Sequence, residues 1–273
     1  MIMKIEFKKL FDRVEFYLVI TGALIISLLS VIDFCIDEHW FASSYIASAW
    51  QTSLVFGGTF GEFFSIVFIP LMAILPYSDQ YSREREYGCL ESLISRRSRS
   101  RYFFQKLFTI IVTSALSVFL IYVLNQLFAC IAFPDEQVKG ILDGSIYKKY
   151  IEIEVQHTSM PLLWMNDLRL MNLIHILFAS TYAGGIAAFG YMLSLYLHVN
   201  KALTNIIPIV VIFVFTFLGL TLLGADYSPA LCIIVRPTYT TSTFWIPVVI
   251  VIATYMLSFI GITLKTYLFK DLL

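Results

Sequence analysis

YSDQYSREREYGCLESLISRRSRSRYFFQK, residues Tyr77 to Lys106, separates two long apolar segments and carries seven Lys/Arg: Arg83, Arg85, Arg96, Arg97, Arg99, Arg101 and Lys106. No other loop of the chain is as basic. Its flanks are long enough and apolar enough to require a bilayer. Cationic loops stay on the cytoplasmic side, so this stretch predicts the orientation of the whole protein. It also reads as a surface that touches something in the cytoplasm.

Working outward, the composition agrees. Of 273 residues 59% are hydrophobic and 14% charged, and the mean hydropathy is +0.80. A soluble domain of this length could not hide that much apolar surface. The charges cluster between apolar runs, and the ten-residue alternation of a membrane β-barrel is missing. The expected fold class is therefore an all-α polytopic membrane protein, one transmembrane domain over residues 1–273 with no internal repeat or linker. The formal net charge is zero, so only its distribution carries information.

Six spans are expected, each with the roughly 20 apolar residues a crossing needs: about Tyr17–Ile36, Ser53–Pro76, Tyr102–Phe133, Asn172–Leu197, Leu203–Leu223 and Phe244–Phe269. With both termini cytoplasmic, 14 Lys/Arg fall inside and five outside, the bias expected of cytoplasmic loops. Five spans would spoil that balance. The first 16 residues repeat apolar Met3, Phe7, Leu10, Phe11 and Val14 at helical spacing, with Lys4, Lys8, Lys9, Asp12 and Arg13 largely opposite. They read as an interfacial helix or as an ordinary cytoplasmic start to the first span. A signal peptide is not expected, because the apolar run is long and no small-residue cleavage site follows.

Residues 134–171 form a long polar outer loop, in which Tyr150–Val155 (YIEIEV) alternates like a short strand. Leu231–Val235 (LCIIV) is too short to cross and too apolar for a free loop. It is either a re-entrant turn or a partly buried extracellular loop. Cys35, Cys130 and Cys232 fall near the expected outer face, where one disulfide or three unpaired thiols both fit; with Cys89 they match no metal spacing.

Several chemistries lack their residues. No Gly precedes a Lys, so the nucleotide-cradling G-x-x-x-x-G-K-[ST] loop is missing, as are H-E-x-x-H and G-x-S-x-G. His39, His157, His175 and His198 are scattered, without carboxylate or cysteine at ligand spacing. No catalytic residue, metal or cofactor is expected in this chain.

Inside the basic loop, Tyr87, Leu90, Leu93 and Ile94 recur at helical spacing, slimmed by Gly88 and Cys89, while Glu84, Glu86 and Glu91 precede the run Ser95–Arg101. A short amphipathic helix, acidic then basic, suits a groove on a soluble partner. A solvated loop that anchors topology and meets anionic lipid head groups also fits. The order Glu86, Gly88, Glu91, Leu93–Ile94, the Ser98–Arg101 turn and Lys106 resembles the segment between spans two and three of type-2 ATP-binding-cassette (ABC) exporter permeases. The layout of an interfacial helix, six spans and a re-entrant turn between spans five and six is similar too. The long outer loop departs from compact members of that family.

The resemblance implies a coupling helix seated on a separate ATPase subunit, which holds ATP and Mg. It implies contacts from Glu84, Glu86, Gly88, Leu90, Glu91, Leu93, Ile94, Arg99, Arg101 and Lys106. It also implies a second permease chain, identical or a sister, and a translocation path faced by spans two and five. Phe63, Phe64 and Phe68 in span two and Phe213, Phe215 and Phe217 in span five could line that path or face lipid. Glu62 is either an intramembrane carboxylate facing a cavity or partner, or an interfacial one beside Gly61. Asn125, Gln126, His175 and Asn205 read as interhelical hydrogen-bonders, and Gly184, Gly185, Ala187, Ala188 and Gly190 as a close-packing face.

The expected function is an ATP-driven, outward-moving permease subunit in a bacterial plasma membrane, for an amphipathic or hydrophobic cargo such as a peptide, drug-like or lipid-linked compound. Its partners are the ATPase, a second permease and membrane lipids, with no nucleic acid. The rivals are a membrane-embedded enzyme acting on lipid or peptide, and a non-transporting scaffold or immunity protein.

Overall fold

The computed structural model describes residues 8–40, 49–50, 52–56, 58–89, 99–133, 167–197, 201–223, 230–233 and 245–267. Among these residues the secondary structure is helical and no strand occurs. The helices are α1 (Val14–Trp40), α2 (Gly58–Phe63), α3 (Ile69–Ile74), α4 (Gln80–Glu86), α5 (Arg99–Ala132), α6 (Leu168–Tyr196), α7 (Lys201–Leu218) and α8 (Trp245–Tyr267). Parts of α1, α5, α6 and α8 are long and apolar enough to cross a bilayer, which marks a multi-pass membrane protein.

Their surfaces fit that solvent. On α1, Val19, Ala23 and Ile26 recur at helical spacing and are buried, while Leu18, Ile25, Leu29 and Ile32 are exposed. Large apolar side chains pointing outward are costly in water and cost nothing against lipid tails. α5 packs against α1 on one side and α6 on the other, and α6 in turn supports α8, α7 and α3. α1 and α5 run away from an end rich in ion pairs, where Glu15, Arg83 and Lys106 meet their partners. α6 and α8 return to it, ending at Leu197, which accepts from Arg85, and at Tyr267, beside Ser100.

α6 shows how local sequence places an element. Asp167 caps it, its carboxylate accepting from Arg169 N–H (3.0 Å) and Leu170 N–H (3.1 Å), which satisfies donors the first turn leaves orphaned. Further along, a Cβ on Gly184 would lie 2.5 Å from Tyr255 Oη, and one on Gly185 3.3 Å from the same ring. Missing side chains on α6 thus seat Tyr255 of α8, whose hydroxyl donates to Thr181 O at 2.8 Å. This is the close-packing role the small residues suggest.

The second apolar segment differs from expectation. Instead of one span over Ser53–Pro76 it is a 3-10 turn (Leu54–Phe56), then α2, a π-helical turn (Phe64–Phe68), and α3. Pro70 gives the reason. It has no N–H to donate, and its ring presses on the carbonyl four residues back. The turn ahead of it widens, and Ile69 N–H bonds to Phe64 O, five residues back. The fifth segment is helical over its whole expected length, α7 running directly into a π turn, Gly219–Leu223. The apolar helical stretches of these two segments, Phe64–Ile74 and Leu203–Leu218, are shorter than the four above.

At the end away from the ion pairs, amides hold the broken segment. Asn125 Oδ1 accepts from Leu54 N–H (2.8 Å) and its Nδ2 donates to Ser27 O (3.3 Å). Gln126 Nε2 donates to Ala49 O (3.0 Å), and its Oε1 accepts from Asn172 (2.6 Å). The Leu231–Ile233 turn is tucked into the bundle, Ile233 O accepting from His175 Nδ1 at 3.0 Å. Asn125, Gln126 and His175 are therefore structural bonders between elements, as their isolation in the sequence implies. Cys35 and Cys130 hold free thiols. The Tyr150–Val155 run and the Cys232 side chain lie outside the described residues.

Candidate functional site

The site begins with a reversal. Pro76 to Asp79 turn the chain out of the second segment, and α4 starts at Gln80. Within α4 and its cap, Asp79–Arg83 and Gln80–Glu84 stand four residues apart, on one helix face, and both pairs bond: Arg83 Nε to Asp79 Oδ2 at 2.9 Å, Gln80 Nε2 to Glu84 Oε1 at 2.8 Å. That face turns inward. Asp79, Gln80 and Glu84 are buried, and so is Lys106, one turn above Tyr102 on α5.

What joins them is Arg13, just ahead of α1. Its guanidinium donates to Asp79 Oδ1 (2.9 Å), Pro76 O (3.2 Å) and Gln80 Oε1, and lies 4.4 Å from the Tyr77 ring centroid. Asp79 bridges Arg13 and Arg83, and Arg83 continues to Glu15 on α1. Gln80 bridges Arg13 and Glu84. Glu84 then receives Lys106 and Tyr102 on one oxygen and Lys9, at 3.0 Å, on the other. One uninterrupted chain of polar contacts thus clamps the segment before α1, α4 and the first turns of α5.

Its electrostatics are balanced. Burial alone would raise the Glu84 carboxyl, but the Lys106 ammonium and the hydrogen bonds from Lys106, Tyr102 and Gln80 outweigh it and hold it at about 2. Burial pushes the Arg83 guanidinium down, and Asp79 and Glu15 more than restore it, leaving it raised. A buried ion pair this well bonded adds modest net stability, yet opening it by removing one partner is costly. The cluster is therefore a rigid joint. α7 adds neutral bonds, Ser82 to Thr204 (3.1 Å) and Ser78 to Asn205 (3.3 Å), the latter in keeping with Asn205 as an interhelical bonder.

Beyond the joint α4 ends at an exposed tip, Glu86, Tyr87, Gly88 and Cys89, with Gly88 at φ +66°. Cys89 N–H returns to Glu84 O at 3.1 Å and closes the helix end. The acidic and aromatic side chains of the tip are thus presented outward from a fixed base.

The expected coupling residues consequently divide. Glu86, Gly88 and Arg101 are exposed. Glu84 and Lys106, expected on a docking surface, are buried and bonded to each other, because the inward face of α4 takes the carboxylate to α5. Leu90, Glu91, Leu93, Ile94 and the side chain of Arg99 lie outside the described residues. Among the translocation-path candidates, Phe64 is buried against Tyr122 (5.8 Å between rings), Phe68 and Phe213 are half-buried, and Phe63 and Phe217 are exposed. Glu62 belongs to α2, but its side chain lies outside the described residues.

Sequence reasoning missed Arg13, Asp79 and Gln80. Arg13 is expected on a polar, solvent-facing side of the N-terminal segment, yet it is buried, because the local helix ends at residue 11 and Arg13 sits in the bend before α1. The i,i+4 pairs Asp79–Arg83 and Gln80–Glu84 were the available signal. Comparisons with family models, with curated proteins and with solved structures each return no match.

Proposed function

We propose that this chain is the membrane subunit of an ATP-driven exporter of the type-2 ABC class, with both termini and the Tyr77–Lys106 stretch cytoplasmic and six crossings. A separate ATPase subunit binds and hydrolyses Mg-ATP, a second permease chain completes the path, and the cargo is amphipathic or hydrophobic. The observation that supports this reading best is the bonded joint beneath an exposed tip. A push on Glu86–Cys89 would be carried by α4 through Glu84 to Lys106 on α5, and through Asp79 and Arg13 to α1. Such a lever suits the conversion of ATPase closure into helix tilting. The second and fifth segments each carry a π turn, and α5 and α6 would tilt against them.

The test is purification of the full chain from its native membrane. A P-loop ATPase should co-purify, and Glu86→Lys, at an exposed position, should leave the fold intact while uncoupling hydrolysis from transport. Recovery of the chain with no such ATPase, or unchanged coupling in Glu86→Lys, refutes the assignment.

A further inference from the structure

On the side of α5 next to the charge cluster, α5, α6 and α8 line an apolar groove of about 280 Å³. Leu107 and Ile111 of α5 form one wall, Ala188 of α6 the floor, and Ile252, Met256 and Phe259 of α8 the other wall. Its origin lies in the packing just described. Tyr255 seats on Gly184 and Gly185, and Gly261 lies against Met192, so α8 is drawn onto α6. α8 meets α5 far less extensively, and the space left between them opens to the surroundings. From Ile252 to Phe259 the groove extends roughly 10 Å along the helix axis, within the ~15 Å of one leaflet's hydrocarbon.

At the ion-paired end the same two walls meet again. Phe104 packs on Phe259 (5.2 Å between rings), and Ser100 Oγ lies 3.4 Å from Tyr267 Oη. Arg101, exposed, follows Ser100 in the chain. It is six residues, about 9 Å of helix, from Leu107. An apolar groove thus lies below two hydroxyls, with a guanidinium on the adjoining residue, the groups that bind a phosphodiester.

We propose that this groove is a binding site for one anionic phospholipid, with an acyl chain along Leu107, Ile111 and Met256 and its phosphate at Ser100, Arg101 and Tyr267. The site is independent of the exporter reading. The cation selects anionic over zwitterionic head groups, and the groove separates a held lipid from the annular lipid that coats every exposed face.

Native mass spectrometry of the detergent-purified full chain tests it, with phosphatidylglycerol and phosphatidylcholine of identical chains as probes. Wild type should retain phosphatidylglycerol roughly fivefold more, the preference a single surface cation confers, and Arg101→Gln should abolish that preference. Met256→Trp, at an exposed position on α8, should lower retention of both lipids; if it does not fold, Ile252→Phe gives the same reading. Inorganic phosphate should not displace the lipid. Equal retention of the two lipids by wild type, a preference that survives Arg101→Gln, retention unchanged by filling the groove, or displacement by phosphate would each overturn the proposal.

Discussion

Replacing Glu84 by Gln keeps the shape of the side chain and removes its charge. Lys106, 1% exposed, then loses its ion pair with Glu84, and Lys9 loses its ion pair with Glu84 as well. The carboxyl is held at about 2 from an ordinary 4.5. At 1.36 kcal/mol per unit this corresponds to about 3 kcal/mol of differential stabilisation, in line with the ~3–5 kcal/mol for breaking a buried pair from one side. For a chain of this size that is a fall in Tm of roughly 6–10 °C, readable by scanning fluorimetry in detergent. Adding Lys106→Met to Glu84→Gln should recover most of the loss, because removing both charges ends the imbalance. The sign in pH follows from the depressed folded value. The stabilisation is complete above the unfolded carboxyl's 4.5 and is lost as pH falls towards 2. A single variant within ~1 kcal/mol of wild type, or a double variant no better than the single, would show that Glu84 and Lys106 are not a joint.

Two further outcomes are expected. Gly184→Leu should lower stability by about 2 kcal/mol, since a Cβ there meets Tyr255 Oη at 2.5 Å; Tyr255→Phe in the same chain should return part of it, both by Tm, and an unshifted Tm for Gly184→Leu would contradict the α6–α8 packing. Gly88→Ala should cost about 1 kcal/mol from its left-handed backbone alone, as no neighbour lies within 4 Å of a Cβ there; Gly88→Asn should cost clearly less, and equal losses would point to a contact rather than the backbone.

The long crossings were the legible part of the fold. Expected spans Tyr102–Phe133 and Phe244–Phe269 correspond to α5 at Arg99–Ala132 and α8 at Trp245–Tyr267. Apolar length is a property each helix carries by itself. The second segment was not legible, because hydropathy averages over Pro70 and the glycines and cannot distinguish an unbroken helix from one interrupted by a π turn. The site divides on the same principle. Asp79–Arg83 and Gln80–Glu84 are local, and their spacing shows in the sequence. Arg13 reaches Asp79 across 66 positions and Lys9 reaches Glu84 across 75, and no periodicity encodes pairings so distant. Polarity put Arg13 on the outside; three acceptors and the Tyr77 ring bring it in.

The wide turn at Phe64–Phe68 also has a bookkeeping of its own. It inserts one surplus residue into the helical count, and each residue advances a helix by about 100°. Ile69, Met72, Ala73 and Ile74, all buried, therefore keep their inward azimuth because the wide turn absorbs that surplus. Tightening that turn into regular α-helix with every residue kept would swing this quartet about a quarter-turn out of the bundle, carrying Asp79 and Gln80 away from Arg13, whereas deleting one position between 64 and 68 would leave the quartet in place. A further insertion here, or a substitution that closes the wide turn, would thus act at a distance, dismantling the ion cluster without altering any residue that composes it.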